Sequence, residues 1–120
     1  MQGIIDKNLV PKIQGVFVVG RKNWIPLDTV LDTGFNDEFC LPRKYFDECD
    51  LRFVGTDKYV LANGATVTEA IYLGTIVIDN TLLTALVSLT DDHKALIGTR
   101  LLDGKIATLD FKTYEVIVEE

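Results

Sequence analysis

Asp32-Thr33-Gly34 is the segment best placed to do chemistry. An Asp in a turn bonds to its own backbone, and a following Gly accepts dihedrals closed to other residues, so the triplet alone describes many ordinary turns. Its frame says more. Val30-Leu31 delivers Asp32 from the end of an apolar strand, and a second apolar run, Leu96-Ile97, ends in Gly98. Gly98 would let that run pack close beneath the loop that carries Asp32. A carboxylate held at a strand end is a candidate for acid–base work on a bound substrate or water.

Other chemistry has less behind it. Cys40 and Cys49 have no metal-ligand spacing and no companion Cys/His pair. They are expected to be free thiols rather than a disulfide. A Cys nucleophile would want a histidine. The one histidine, His93, sits in the polar stretch Thr90-Asp91-Asp92-His93 and reads as a solvated turn residue. No metal site and no cofactor are expected. The net charge of −6 argues against nucleic acid, since phosphate binding needs clustered Lys and Arg, and Arg43-Lys44 is short and followed by acids. The apolar stretches are too short and interrupted to span a bilayer, so no membrane partner is expected. The first residues, Met1-Gln2-Gly3-Ile4-Ile5-Asp6, lack a basic region followed by an apolar stretch. That leads to an expectation of a cytoplasmic protein.

The elements that must position Asp32 follow from pattern. At 120 residues and 48% hydrophobic content the chain suits one domain, 1–120, with a modest core. Residues 13–19 read as a strand and Gly20-Arg21-Lys22-Asn23 as a turn. Residues 24–31 read as the next strand, with Pro26 marking a sheet edge. Residues 38–41 form a short strand, and Pro42 opens a helical turn over 43–49. Asn63-Gly64 lies between the strands 59–61 and 65–71 and signals a hairpin. Residues 72–78 and 82–89 form a second pair. Gly98 to Leu102 reads as a brief helix stopped near Gly104, and 105–111 with 114–118 as a closing hairpin. Short strands between turn signals predict an all-β, closed barrel-like fold with one or two short helices. The terminal strand, Glu115-Val116-Ile117-Val118-Glu119, would need a partner along its edge.

This order of elements, from Asp-Thr-Gly to Leu-Ile-Gly, resembles the retropepsin-like aspartic proteases over residues 13–111. Within that clan the chain looks most like the small prokaryotic single-domain proteins, with Asp-Thr-Gly-Phe and a later Ala-Asn-Gly. The resemblance implies an acid-protease fold and a peptide or protein substrate. The catalytic loop would be Asp32, Thr33 and Gly34, with Asp32 as the carboxylate and Thr33 bonding across to the loop of a partner chain. Leu96, Ile97 and Gly98 would support that loop. Phe35, Asn36 and Asp37 would bind substrate, together with Ala62, Asn63 and Gly64 of a flap. Aspartic protease chemistry needs two carboxylates, and one Asp-Thr-Gly supplies one. The resemblance therefore implies a homodimer through the Asp-Thr-Gly loop and the terminal strands, acting as an endopeptidase. A non-catalytic homodimeric peptide-binding or adaptor module of the same fold is the alternative. The chain departs from retroviral enzymes in four places. Phe35 replaces a small Ala or Ser, Asn36-Asp37 replaces an acidic pair, the flap tip has one glycine where retroviral flaps have several, and Thr99-Arg100 follows Gly98 where Arg often follows directly.

Overall fold

The structure, a computed structural model, describes all 120 residues. The strands are β1 (Gln2–Ile5), β2 (Pro11–Ile13), β3 (Val16–Val19), β4 (Trp24–Pro26), β5 (Thr29–Leu31), β6 (Phe39–Pro42), β7 (Arg52–Val60), β8 (Thr66–Ile78), β9 (Thr81–Thr90), β10 (Ala95–Ile97), β11 (Ile106–Asp110) and β12 (Glu115–Glu119). A 3-10 helix, Arg43–Glu48, follows Pro42, and a single helical turn, α1, covers Thr99–Leu102. No helix is long and apolar enough to cross a membrane. The all-β expectation with two short helices holds.

The expected closure does not. The strands run in the order β11-β12-β1-β2-β5-β10-β6-β9-β8-β3-β4, with β7 attached only to β8. The sheet curls but stays open, and β11 and β4 are its unpaired ends. Pro26 in β4 lacks an amide donor and suits an edge, as its position in the sequence suggests.

Three expected boundaries also move. The run 13–19 divides at Gln14-Gly15 into β2 and β3, and the run 24–31 divides at Leu27-Asp28 into β4 and β5. Each half then pairs with different neighbours: β2 with β1 and β5, β3 with β4 and β8. Conversely, 65–71 and 72–78 fuse into the 13-residue β8, because no turn residue separates Ile71 from Tyr72. The irregularity is taken up opposite, by a register shift between Phe53 and Gly55 in β7. At the termini, β1 went unrecognised in the sequence. It pairs with β12 through Gly3↔Val116, and β11 flanks β12 on the other side. The C-terminal strand thus has both edges filled by its own chain, and the edge partner expected from a second copy is not needed there.

The core is one cluster of 17 buried residues. Phe39, Leu41, Ile76, Val87 and Ile97 are fully buried at its centre. Each contributes about 1.5–3 kcal/mol on leaving water. β12 alternates strictly, Val116 and Val118 inward and Glu115, Ile117 and Glu119 outward, as a strand with one wet face must. β6 is buried at every residue because it lies mid-sheet, between β10 and β9.

Candidate active site

Asp32 sits where the chain leaves β5. Although β10 lies far downstream in sequence, it inserts between β5 and β6, parallel to β5 through Ile97↔Leu31 and antiparallel to β6 through Ile97↔Phe39. To pass from β5 to β6, residues 32–38 must therefore cross over the end of β10. That crossing shapes the loop.

Backbone hydrogen bonds fix it along its length. Asp32 N–H donates to Ile97 O at 3.0 Å, and Phe35 N–H donates to Asp32 O at 3.2 Å. From beneath, Gly98 N–H donates to Glu38 O at 3.0 Å, Thr99 N–H to Phe35 O at 2.9 Å, and Arg100 N–H to Asp37 O at 3.3 Å. The close approach leaves no space at Gly98. A Cβ there would collide with the Asp37 carbonyl oxygen and stand 2.7 Å from both the Phe35 ring and the Phe35 carbonyl oxygen. Only glycine permits loop and β10 to touch in this way.

Asp32 is half-buried, and its Oδ1 accepts the Gly34 N–H at 2.9 Å, a turn-type bond that orients the carboxylate. Thr33 and Gly34 are exposed at the tip of the loop. Phe35 is half-buried, with its ring against Gly98. Asn36 is exposed and within 3.5 Å of the Thr99 hydroxyl. Ile97 is fully buried and Leu96 half-buried.

Ala62, Asn63 and Gly64 form the tip of the β7–β8 hairpin, apart from this cluster. Their turn is not the expected two-residue type. Gly64 N–H donates to Leu61 O at 2.9 Å, Leu61 N–H donates to Ala65 O at 2.8 Å, and Gly64 has φ 85°. This is a three-residue loop in which glycine takes the left-handed position. Asn63 contributes by accepting the Ala65 N–H on its side-chain oxygen at 2.9 Å.

Between the Asp32 loop and the hairpin lies a cavity of about 360 Å³. Its wall includes Asp37, Glu38, Asp57, Ile71, Ser88 and Arg100, but none of the hairpin-tip residues. Several of these were not picked out from sequence. Arg100 approaches Asp37 at 4.0 Å, so the arginine displaced by one residue after Gly98 still reaches an acid of the loop. Both are substantially exposed, and such a pair stabilises little. Glu38 Oε1 accepts the Leu86 N–H at 2.7 Å, tying the loop exit to β9. Asp57 stands directly opposite Glu69 on adjacent strands. Counting outward from a two-residue turn at Asn63-Gly64 would have paired Asp57 with Ala70 instead; the three-residue loop shifts the register by one. Burial raises the Glu69 carboxyl above its ordinary range, and the Asp37 and Asp57 carboxylates push the same way against a smaller opposing pull from Arg43. Cys40 and Cys49 are free and buried, and burial raises both thiols. That makes them poor nucleophiles at neutral pH. No group of His, Cys, Asp and Glu side chains is arranged to hold a metal ion.

No protein-family model and no curated protein sequence matches this chain. Solved structures do. The solution structure of the Simian Foamy Virus (mac) protease superposes with a TM-score of 0.56 at 17% identity, over 74% of this chain and 91% of that one. The foamy viral protease-reverse transcriptase, solved in complex with an RNA/DNA hybrid, gives a TM-score of 0.52 at 17% identity. There 75% of this chain is covered but only 11% of the larger polypeptide. The chain has the retropepsin-like fold.

Proposed function

We propose that this protein is one half of a homodimeric aspartic endopeptidase. The observation that carries the reading is the Asp32 loop itself. A carboxylate at a strand end is held by a web of backbone bonds over Gly98, while the loop tip at Thr33 and Gly34 remains open to a second copy. The retropepsin-like fold supports the same reading. The dimer contact is assigned to the Asp-Thr-Gly loop; the terminal strands, already paired within the chain, contribute less than their sequence suggested.

Two Asp32 carboxylates facing each other across a two-fold axis cannot both ionise easily, so the pair holds one proton between them. The ionised partner takes a proton from a water molecule as its oxygen attacks the peptide carbonyl carbon. The protonated partner donates its proton to the carbonyl oxygen, giving a neutral tetrahedral diol. As the C–N bond breaks, one diol hydroxyl returns its proton to a carboxylate and the departing nitrogen is protonated by the other. Water is consumed, a carboxylic acid and an amine leave, and the dyad is restored. The β7–β8 hairpin serves as the flap, adding backbone hydrogen bonds to an extended peptide and excluding bulk water.

Asp32→Asn tests this reading. The near-isosteric amide cannot act as the base, so cleavage of a peptide library should fall by at least about a thousandfold. Fold and dimer, read by circular dichroism and sedimentation, should be kept. Equal rates for variant and wild type would remove Asp32 from the chemistry. Absence of cleavage by a dimeric wild type would leave the non-catalytic binding module.

A further inference from the structure

The cavity beside the Asp32 loop carries an unusual concentration of negative charge for a wall meant to meet a peptide. Asp37, Glu38 and Asp57 outnumber Arg100 along it. Like charges directly opposite on paired strands repel, and Asp57↔Glu69 is such a pair. Glu69 shares its face of β8 with Ile71 but lines an adjoining cavity, so it acts on this one from its edge, through its place opposite Asp57. Neither Asp57 nor Glu69 has a cation at ion-pair distance. Arg43, which lines the adjoining cavity with Glu69, is engaged 2.9 Å from Asp91. Arg100 is 70% exposed and directed at Asp37.

A second observation is independent of charge. Ser88 also lines this cavity, is only 2% exposed, and its hydroxyl has no oxygen or nitrogen partner, only the Cys40 thiol beside it. Its neighbour across the parallel β6–β9 ladder is Cys40, whose thiol is at best a weak partner. A buried hydroxyl left with so weak a partner costs stability, which an incoming donor would recover. Carboxylates offer acceptors only, and a hydroxyl can supply one more. Such a wall suits a group that brings positive charge and several N–H donors at once.

We infer that this cavity is a subsite for a cationic side chain, lysine or arginine, of the peptide bound at the Asp32 loop. Asp57 and Asp37 supply the counter-charge along the wall, Glu69 adds to it from the edge behind Asp57, and Ser88 supplies an acceptor. The volume accommodates one long side chain with its apolar stem along Ile71. The occupant's being part of a substrate rests on the protease reading; the charge preference does not.

The test measures binding and cleavage separately. Fluorescent peptides that differ only by lysine against norleucine, at each position in turn, are titrated onto the Asp32→Asn protein. At one position lysine should bind about tenfold more tightly. The preference should shrink between about 0.05 and 0.5 M salt, since the site is open to solvent. In the Asp57→Asn/Glu69→Gln double variant the lysine-to-norleucine ratio should fall to about one. Ser88→Ala, a smaller change, should lower it partway. Equal binding at every position, or a preference that survives the double variant, overturns the inference. Wild-type protein is then assayed for cleavage of the same peptides. Cleavage without any lysine preference sinks the subsite and keeps the protease. A lysine preference in binding without any cleavage keeps the subsite and sinks the protease.

Discussion

The loop at residues 32–38 and the β7–β8 hairpin face the same cavity, yet they are built on opposite principles. The loop is short, crosses a buried strand, and is bonded from below by Gly98, Thr99 and Arg100. Its neighbours Leu31, Phe39 and Ile97 are all core residues. The hairpin is long and wet. Nearly every residue of β7 is exposed, Val60 at 70%, and β7 has no neighbour except β8. One region is held by many contacts that must be broken together; the other is held by a single ladder. Local opening is cheapest where few apolar contacts are buried, so the hairpin is the part able to move. The difference teaches how a small fold divides its labour: precision where a carboxylate is placed over the core, compliance where one ladder is the whole support.

Glycine substitutions on the two sides give the sharpest test. Gly98→Ala forces a methyl group into the Asp37 carbonyl and the Phe35 ring. The expected loss is about 3 kcal/mol of stability, and on the protease reading cleavage is lost too as the loop is displaced. Gly64→Ala adds a methyl group with nothing within 4 Å, so only the backbone at φ 85° objects. That strain is about 1 kcal/mol and stays in the hairpin. Urea unfolding with hydrogen exchange should show a global effect for Gly98→Ala and one confined to β7 and the start of β8 for Gly64→Ala. Equal global losses would mean that the hairpin is as tightly integrated as the loop.

Thr33→Ala probes the loop's outward side. Thr33 is exposed in the single chain, so its removal should leave the protomer's fold unchanged. If it bonds across the dimer, two symmetry-related hydrogen bonds are lost, each leaving a partner unsatisfied at about 1–3 kcal/mol. The dimer dissociation constant, by sedimentation equilibrium, should rise at least about tenfold. An unchanged constant would show that the loops do not interlock.

The two regions also differed in how legibly the sequence announced them. The Asp32 loop could be read because its determinants are local in kind: a strand end, an Asp-Thr-Gly, and one glycine after two apolar residues. What put β10 between β5 and β6 was not readable from pattern, since three-residue strands such as Thr29–Leu31 and Ala95–Ile97 carry no register of their own. The hairpin was announced by Asn63-Gly64, but the turn type was misjudged because the same dipeptide serves two-residue and three-residue loops. Arg100 counted as a departure for standing one position late, yet it reaches Asp37 at 4.0 Å. β1 was missed because Gln2-Gly3-Ile4-Ile5 is too short and too mixed to show alternation, and that omission produced the unfilled edge wrongly assigned to β12.

Glu69→Gln gives the smallest expected effect and bears on the hairpin's charge. Glu69 is half-buried opposite Asp57, with Asp37 facing it and Arg43 behind, and its folded carboxyl lies above the ordinary 4.5. Below pH 4.5 the group is protonated whether the chain is folded or not, and it contributes no pH dependence. As pH rises past 4.5 the unfolded chain releases the proton first while the folded chain retains it. Wild-type stability therefore falls across the window from 4.5 to the folded value, and the full loss persists at neutral pH. Glutamine carries no such charge. The variant should be more stable than wild type at pH 7 by about 0.2–1 kcal/mol, the range for opposed like charges on a sheet. At fixed protein concentration that is a rise of about 1–4 °C in Tm, and it should close as the pH is lowered below 4.5. A variant that melts with the wild type at every pH would mean that Asp57 and Glu69 turn away from each other into solvent. The hairpin would then bring no strained charge to the cavity, and the contrast with the tightly bonded loop would be one of mobility alone.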